Sequence, residues 1–134
     1  MDITNTPRKL KFRAWIGDRM EYQVMVGQLG SFFTYQDPND SACAINTRYT
    51  DSTPIMQYTG FKDKNGKEIY DGDIIKFGTS LVIYEVIFTN GTSEHSCFNG
   101  WGLINIDSKL RYHLNDRNFY EIIGNIYENP ELIK

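Results

Sequence analysis

The stretch "IMQYTGFKDKNGKEIYDGDIIKF", residues 55–77, limits what this chain can fold into more tightly than any other. Apolar runs flank the polar tip "KDKNG", whose Asn65-Gly66 pair tolerates the positive φ that a twist-matched two-residue hairpin turn demands. Asp71-Gly72-Asp73 then makes a second sharp bend, with Gly72 expected at positive φ. "IIKF" opens the next strand directly after it. A helix of any length is excluded here, and a tightly punctuated run of strands is required.

The rest of the chain fits that reading. "KLKFRAWI" and "MEYQVMV" alternate apolar and polar residues around Gly17-Asp18, which predicts an N-terminal hairpin. "SFFTY" and "CAINTRY" read as short strands around the loop "QDPNDS". "LVIYEVIF" turns at Asn90-Gly91 and leads to "WGLINI". Residues 106–118 stay open: Ile106, Leu110 and Leu114 fit a helix, whereas Leu110, Tyr112 and Leu114 fit a strand. "FYEIIGNIY" is a last strand with Gly124 as a bulge. "ENPEL" predicts one helical turn with Asn129 as cap and Pro130 in first position. About five or six strands at spacings near ten residues give an all-β class and favour a small closed barrel over a sandwich.

With 134 residues the chain suits one domain, or an appendage plus one domain, and 14% aromatic residues favour half-buried strands. We divide it into an N-terminal hairpin region with a variable loop, 1–54, and a barrel, 55–134. A net charge of −3 supplies no global field for phosphates or anionic membranes. Two cysteines, Cys43 and Cys97, show no disulfide spacing, so a reduced intracellular setting is expected. "MDITNTPRKL" has no apolar run of a signal peptide, and no stretch nears the roughly 20 apolar residues of a membrane span.

Three segments, "LKFRAW" near the start, the 55–77 stretch and "IIGNIYENPELIK" at the end, resemble the YopX family of phage and prophage proteins in order and position. The resemblance covers about the first 15 residues, residues 55–77 and residues 121–133. It implies an SH3-type barrel in the C-terminal part, a phage or prophage origin and action in an infected bacterial cytoplasm. It implies no agreed activity and no catalytic residue, so no role carries over residue by residue. The shared motifs contain Asn65, Gly66, Gly72 and Gly124, which the reading above assigns to turns and a bulge. The patterned stretch is therefore read as scaffold.

Candidate chemistry is sparse. His95, Cys97, His113 and Cys43 lack the paired short spacings of a zinc site, and no metal or other cofactor is expected. Ser96, His95, His113, Asp107 and Asp116 form no recognisable nucleophile motif, and Asp71 with Asp73 reads as a turn rather than a carboxylate pair. No enzymatic activity is expected. The aromatic residues offer a recognition surface: Tyr58, Phe61, Tyr70, Tyr84, Phe98 and Trp101 are numerous enough to line a groove, with Trp101 between two glycines the one expected to be exposed. The expected partner is a host or phage protein. The alternative is nucleic acid, with Lys9, Lys11 and Arg13 on one strand face as phosphate contacts. Homo-oligomerisation through the N-terminal hairpin is left open.

Overall fold

The computed structural model describes residues 9–22, 24–26, 31–35, 44–49, 54–90, 99–114 and 119–133. It is nearly all β. The strands are β1 (Phe12–Trp15), β2 (Met20–Glu21), β3 (Val24–Val26), β4 (Ser31–Tyr35), β5 (Ala44–Tyr49) and β6 (Ile55–Lys62). They continue with β7 (Glu68–Tyr70), β8 (Asp73–Phe77), β9 (Ile83–Asn90), β10 (Asn99–Asn105), β11 (Arg111–His113) and β12 (Tyr120–Asn125). A 3-10 turn, Pro130–Ile133, follows. Three antiparallel sheets have the orders β2-β1-β6-β7, β11-β10-β9-β8-β12 and β3-β4-β5.

The two larger sheets curl into a half-barrel. Cross-strand partners share a face, so the register aligns Tyr120 with Phe77, Ile75 with Tyr84, Val86 with Leu103 and Phe88 with Trp101. The middle of this face is the core, built from Ile69, Ile75, Val86, Leu103, Leu114 and Tyr120. Its ends carry the larger rings.

The N-terminal hairpin forms as expected, with β1 on β2 and Gly17 at φ 104°. Pairing links the two expected regions. Strand β1 pairs with β6, and Tyr58 N–H donates to the Lys11 carbonyl at 2.8 Å. Residues 36–43 and the Asn90-Gly91 turn as a whole lie outside the described residues.

At the tip of the β6–β7 hairpin the turn differs from the expected two-residue form. Gly66 N–H donates to the Asp63 carbonyl at 3.0 Å, and Gly66 has φ 82°, whereas Asn65 does not take positive φ. Asp63 decides this. Its Oδ1 accepts from the N–H groups of Asn65 and Lys67, both at 2.9 Å, and its Oδ2 accepts from Ile122 N–H at 3.2 Å. One side chain thus shapes the turn and docks it on β12.

Gly72 has φ 86° as expected and lies between β9 and the C-terminal segment, donating to the Val86 carbonyl and accepting from Ile126 N–H. The β8–β12 register shifts between Ile122 and Gly124, which places a bulge where one was expected. Asn129 corrects its assigned role. Its side-chain Oδ1 turns back to accept from Asn125 N–H at 3.1 Å, and the 3-10 turn uses its backbone carbonyl instead.

Between β10 and β11 the strand alternative holds. Asn105 Oδ1 accepts from the N–H groups of Asp107 and Ser108, as a helix cap would, but a single turn follows, closed by Lys109 N–H on the Asn105 carbonyl at 2.9 Å. Lys109 then takes φ 64°, and β11 returns antiparallel to β10.

Candidate functional site

Arg13 overturns the expected phosphate-binding face. It is 2% exposed, and its Nη2 donates to Asp73 Oδ1 at 2.7 Å. The guanidinium also lies 4.7 Å from the Tyr70 ring centroid, and Nε faces Met56 Sδ at 3.4 Å. Period-two reasoning fails on β1 because both its faces are covered: Ala14 packs with Val24 while Arg13 enters the seam with β7 and β8. Lys11 is exposed but ion-paired to Glu68 at 2.6 Å, and Lys9 is exposed beside Tyr58 and Phe61. The three cations therefore do not form one face.

The Asp-Gly-Asp step is a turn, as its glycine required. Asp71 Oδ1 accepts from Gln57 N–H at 2.5 Å, and Asp73 Oδ2 accepts from Tyr70 N–H at 2.8 Å. Burial pushes the Asp73 carboxyl up, against the pull of Arg13 and of the Tyr70 N–H.

Two of the proposed recognition rings belong to the interior. Tyr58 and Tyr70 are each 5% exposed and pack with Met56, Trp15 and Tyr127. Burial, with Glu68 nearby, pushes the Tyr70 phenol up to about 12, and burial likewise raises Tyr58. Trp101 is half-buried against the core, with the Phe88 ring edge-on at 5.0 Å. The ring that reaches solvent there is Phe88, 61% exposed. Phe61 is half-buried against the same core. Phe98, His95, Ser96, Cys97, Cys43 and Asp116 lie outside the described residues. Asp107 sits in the turn after β10, and His113 closes β11.

Tyr84 lines a broad concavity among the described residues. Phe77 stands at its centre, 4.8 Å from the Tyr84 ring, 5.1 Å from Tyr120 and 5.7 Å from Phe119. Tyr112 meets Tyr84 edge-to-face at 5.9 Å. With Leu103 below and His113 beside them, these rings line a cleft of about 460 Å³ at one end of the half-barrel. Tyr112 is 46% exposed and Phe119 45%. No Asp, Glu, Lys or Arg is among its described lining residues. Burial first, then Tyr112, raises the Tyr84 phenol. Rings of few rotamers give contact area at low entropic cost, and they suit an apolar, extended chain segment.

Sequence reasoning found Tyr84 but missed Phe77, Tyr112, Phe119 and Tyr120. The adjacent "FY" at 119–120 was a visible signal. Its approach to Phe77 depends on the β8–β12 pairing, which local pattern does not encode.

A profile of the family described as YopX protein matches residues 11–134. The chain belongs to the YopX family. Among solved structures, this YopX-family fold is similar to protein EF1440 from Enterococcus faecalis, with TM-score 0.67, 26% identity, and coverage of 96% of this chain and 100% of that one. It is also similar in fold to protein yopX from Bacillus subtilis, with TM-score 0.59, 20% identity, and coverage of 92% and 98%. A search of curated proteins finds no match. Among the described residues no helix is long and apolar enough to cross a membrane.

Proposed function

We propose that this YopX-family chain is a non-catalytic protein-interaction module whose aromatic cleft receives an apolar, extended segment of a partner protein. The carrying observation is the continuous ring surface from Tyr112 through Tyr84 and Phe77 to Phe119, half-exposed at both ends. Proline-containing segments fit such a surface because they are extended before binding and lose little entropy on it. The partner is a host or phage protein, and the module, of phage or prophage origin, works in the cytoplasm of an infected bacterium. The resemblance of its motifs to phage and prophage proteins supports that setting.

Selection from a displayed library of extended peptides tests the reading. Selected peptides should lose at least about tenfold in affinity for Tyr112→Ala and for Phe119→Ala, about 1.4 kcal/mol or more. Both rings are half-exposed, so the melting temperature should hardly move. Undiminished binding by both variants would overturn the assignment.

A further inference from the structure

A second cleft, sharing no lining residue with the first, follows the seam between the β1–β6 edge and β9–β10. Two hollows of about 270 and 260 Å³ make it up, joined through Ile55, Asp71 and Phe88. Phe12 lines it from β1 and Trp101 from β10, and Glu85 and Tyr127 line its second hollow. Glu85 is half-buried, and its side chain has no hydrogen bond or ion pair among the described residues. Burial raises its pKa, opposed by Lys109 and reinforced by Asp71. Asp71 is raised as well, mainly by burial, against the pull of Gln57 N–H, of Arg13 and of its own N–H. After burial, Asp71 and Glu85 both push up the Tyr127 phenol, and Arg13 pulls it down, so both carboxylates act on the same wall of the cleft. Trp101, which lines the first hollow, has its Nε1 buried with no acceptor among the described residues.

From these observations we infer that the cleft receives an arginine side chain of a partner segment. A half-desolvated carboxylate without a partner is costly, and a cation brought to it recovers that cost on binding. Charge complementarity selects a base, and the walls select which one. Guanidinium donates in a planar fork, which suits two neighbouring carboxylates, and its face stacks on an aromatic ring. Phe88, 61% exposed beside Trp101, offers that ring. The inference does not depend on use of the aromatic cleft.

The full chain, labelled with nitrogen-15, tests this directly. It has two tryptophans, so the indole region holds two resonances and Trp101 is assigned by one substitution at Trp15. The probe is an acetylated, amidated Gly-Gly-Arg-Gly-Gly peptide, with a second peptide carrying uncharged citrulline in place of arginine. The arginine peptide should shift the Trp101 indole saturably, and the citrulline peptide should bind at least about tenfold more weakly. Glu85→Gln, checked by its melting temperature, should weaken the arginine peptide by about tenfold. Lys109→Asn removes the opposing cation at a position whose φ asparagine tolerates, and should tighten binding about two- to threefold. That gain cannot come from misfolding. Equal response to citrulline, no response to either peptide, unchanged binding by Glu85→Gln, or shifts at Tyr112 and Phe119 in place of Trp101 would each overturn the inference. The last outcome would leave the aromatic cleft standing.

Discussion

Arg13 and Asp73, sixty positions apart, meet at 2.7 Å with both side chains 2% exposed. The contact joins the first strand to the Asp-Gly-Asp step and fixes how β1 lies against β7 and β8. A buried ion pair adds little net stability over an apolar pair, but removing one partner strands the other charge in the interior. Arg13→Met and Asp73→Asn should each cost about 3–5 kcal/mol in urea unfolding. The double variant should fall short of their sum by at least about 1 kcal/mol, since neither charge is then left without the other. Simple additivity would show that the two residues act independently.

Asp63 presents a different kind of dependence, because three backbone N–H groups from two parts of the chain rely on one carboxylate that is 6% exposed. Asp63→Ala should cost about 3 kcal/mol or more, since each buried donor left without an acceptor costs about 1–3 kcal/mol. Asp63→Asn keeps one acceptor oxygen and should cost less. Amide exchange at Ile122 should quicken in both, and an unchanged Ile122 amide would contradict the docking of the tip on β12.

The glycines separate backbone strain from crowding. A Cβ at Gly66 meets open space, so Gly66→Val should cost only the positive-φ strain, about 1–3 kcal/mol. Gly72→Val adds contact with Met56 and Ile126 and should cost more. At Gly124 the φ is ordinary, and a Cβ would collide with Asn129 Oδ1. Gly124→Ala should therefore be less harmful in an Asn129→Ala background. Thermal melts of these variants check the series, and an unchanged melting temperature in both Gly66→Val and Gly72→Val would refute the turn assignments.

Acidity should stabilise the fold before it unfolds it. Burial holds the Glu85 pKa above its ordinary 4.5, so the folded chain keeps that proton more tightly than the unfolded one. Stability from this group rises as pH falls through the raised value and is lost as pH climbs above it. Asp71, raised from 3.8, acts in the same direction. Melting temperatures between about pH 7 and pH 5 should rise slightly on acidification, and Glu85→Gln should flatten that slope. A wild-type profile that falls over this range would contradict the burial of Glu85.

Local backbone chemistry was readable in the sequence; partners across the fold were not. Gly17, Gly66 and Gly72 take positive φ because the turns around them are written in consecutive residues. Arg13 was assigned to a solvated face, since alternation assumes that one face of a strand meets water and β1 has both covered. Asn65 keeps its place in the turn but not the positive φ expected of it, because the turn is shaped by Asp63, whose third hydrogen bond goes to a residue 59 positions away. The same limit applies to the aromatic cleft. Tyr84 was named from composition, whereas Phe77, Phe119 and Tyr120 come together only through the β8–β12 register.

The most direct measurement is the amide-shift footprint of a library-selected peptide on the full chain. Shifts are expected at Phe77, Tyr84, Tyr112 and Phe119, with the Asn65-Gly66 tip and the Asp71–Asp73 step unmoved. A footprint centred on that hairpin tip or that step, leaving the rings untouched, would contradict the division between a patterned scaffold and an aromatic recognition surface.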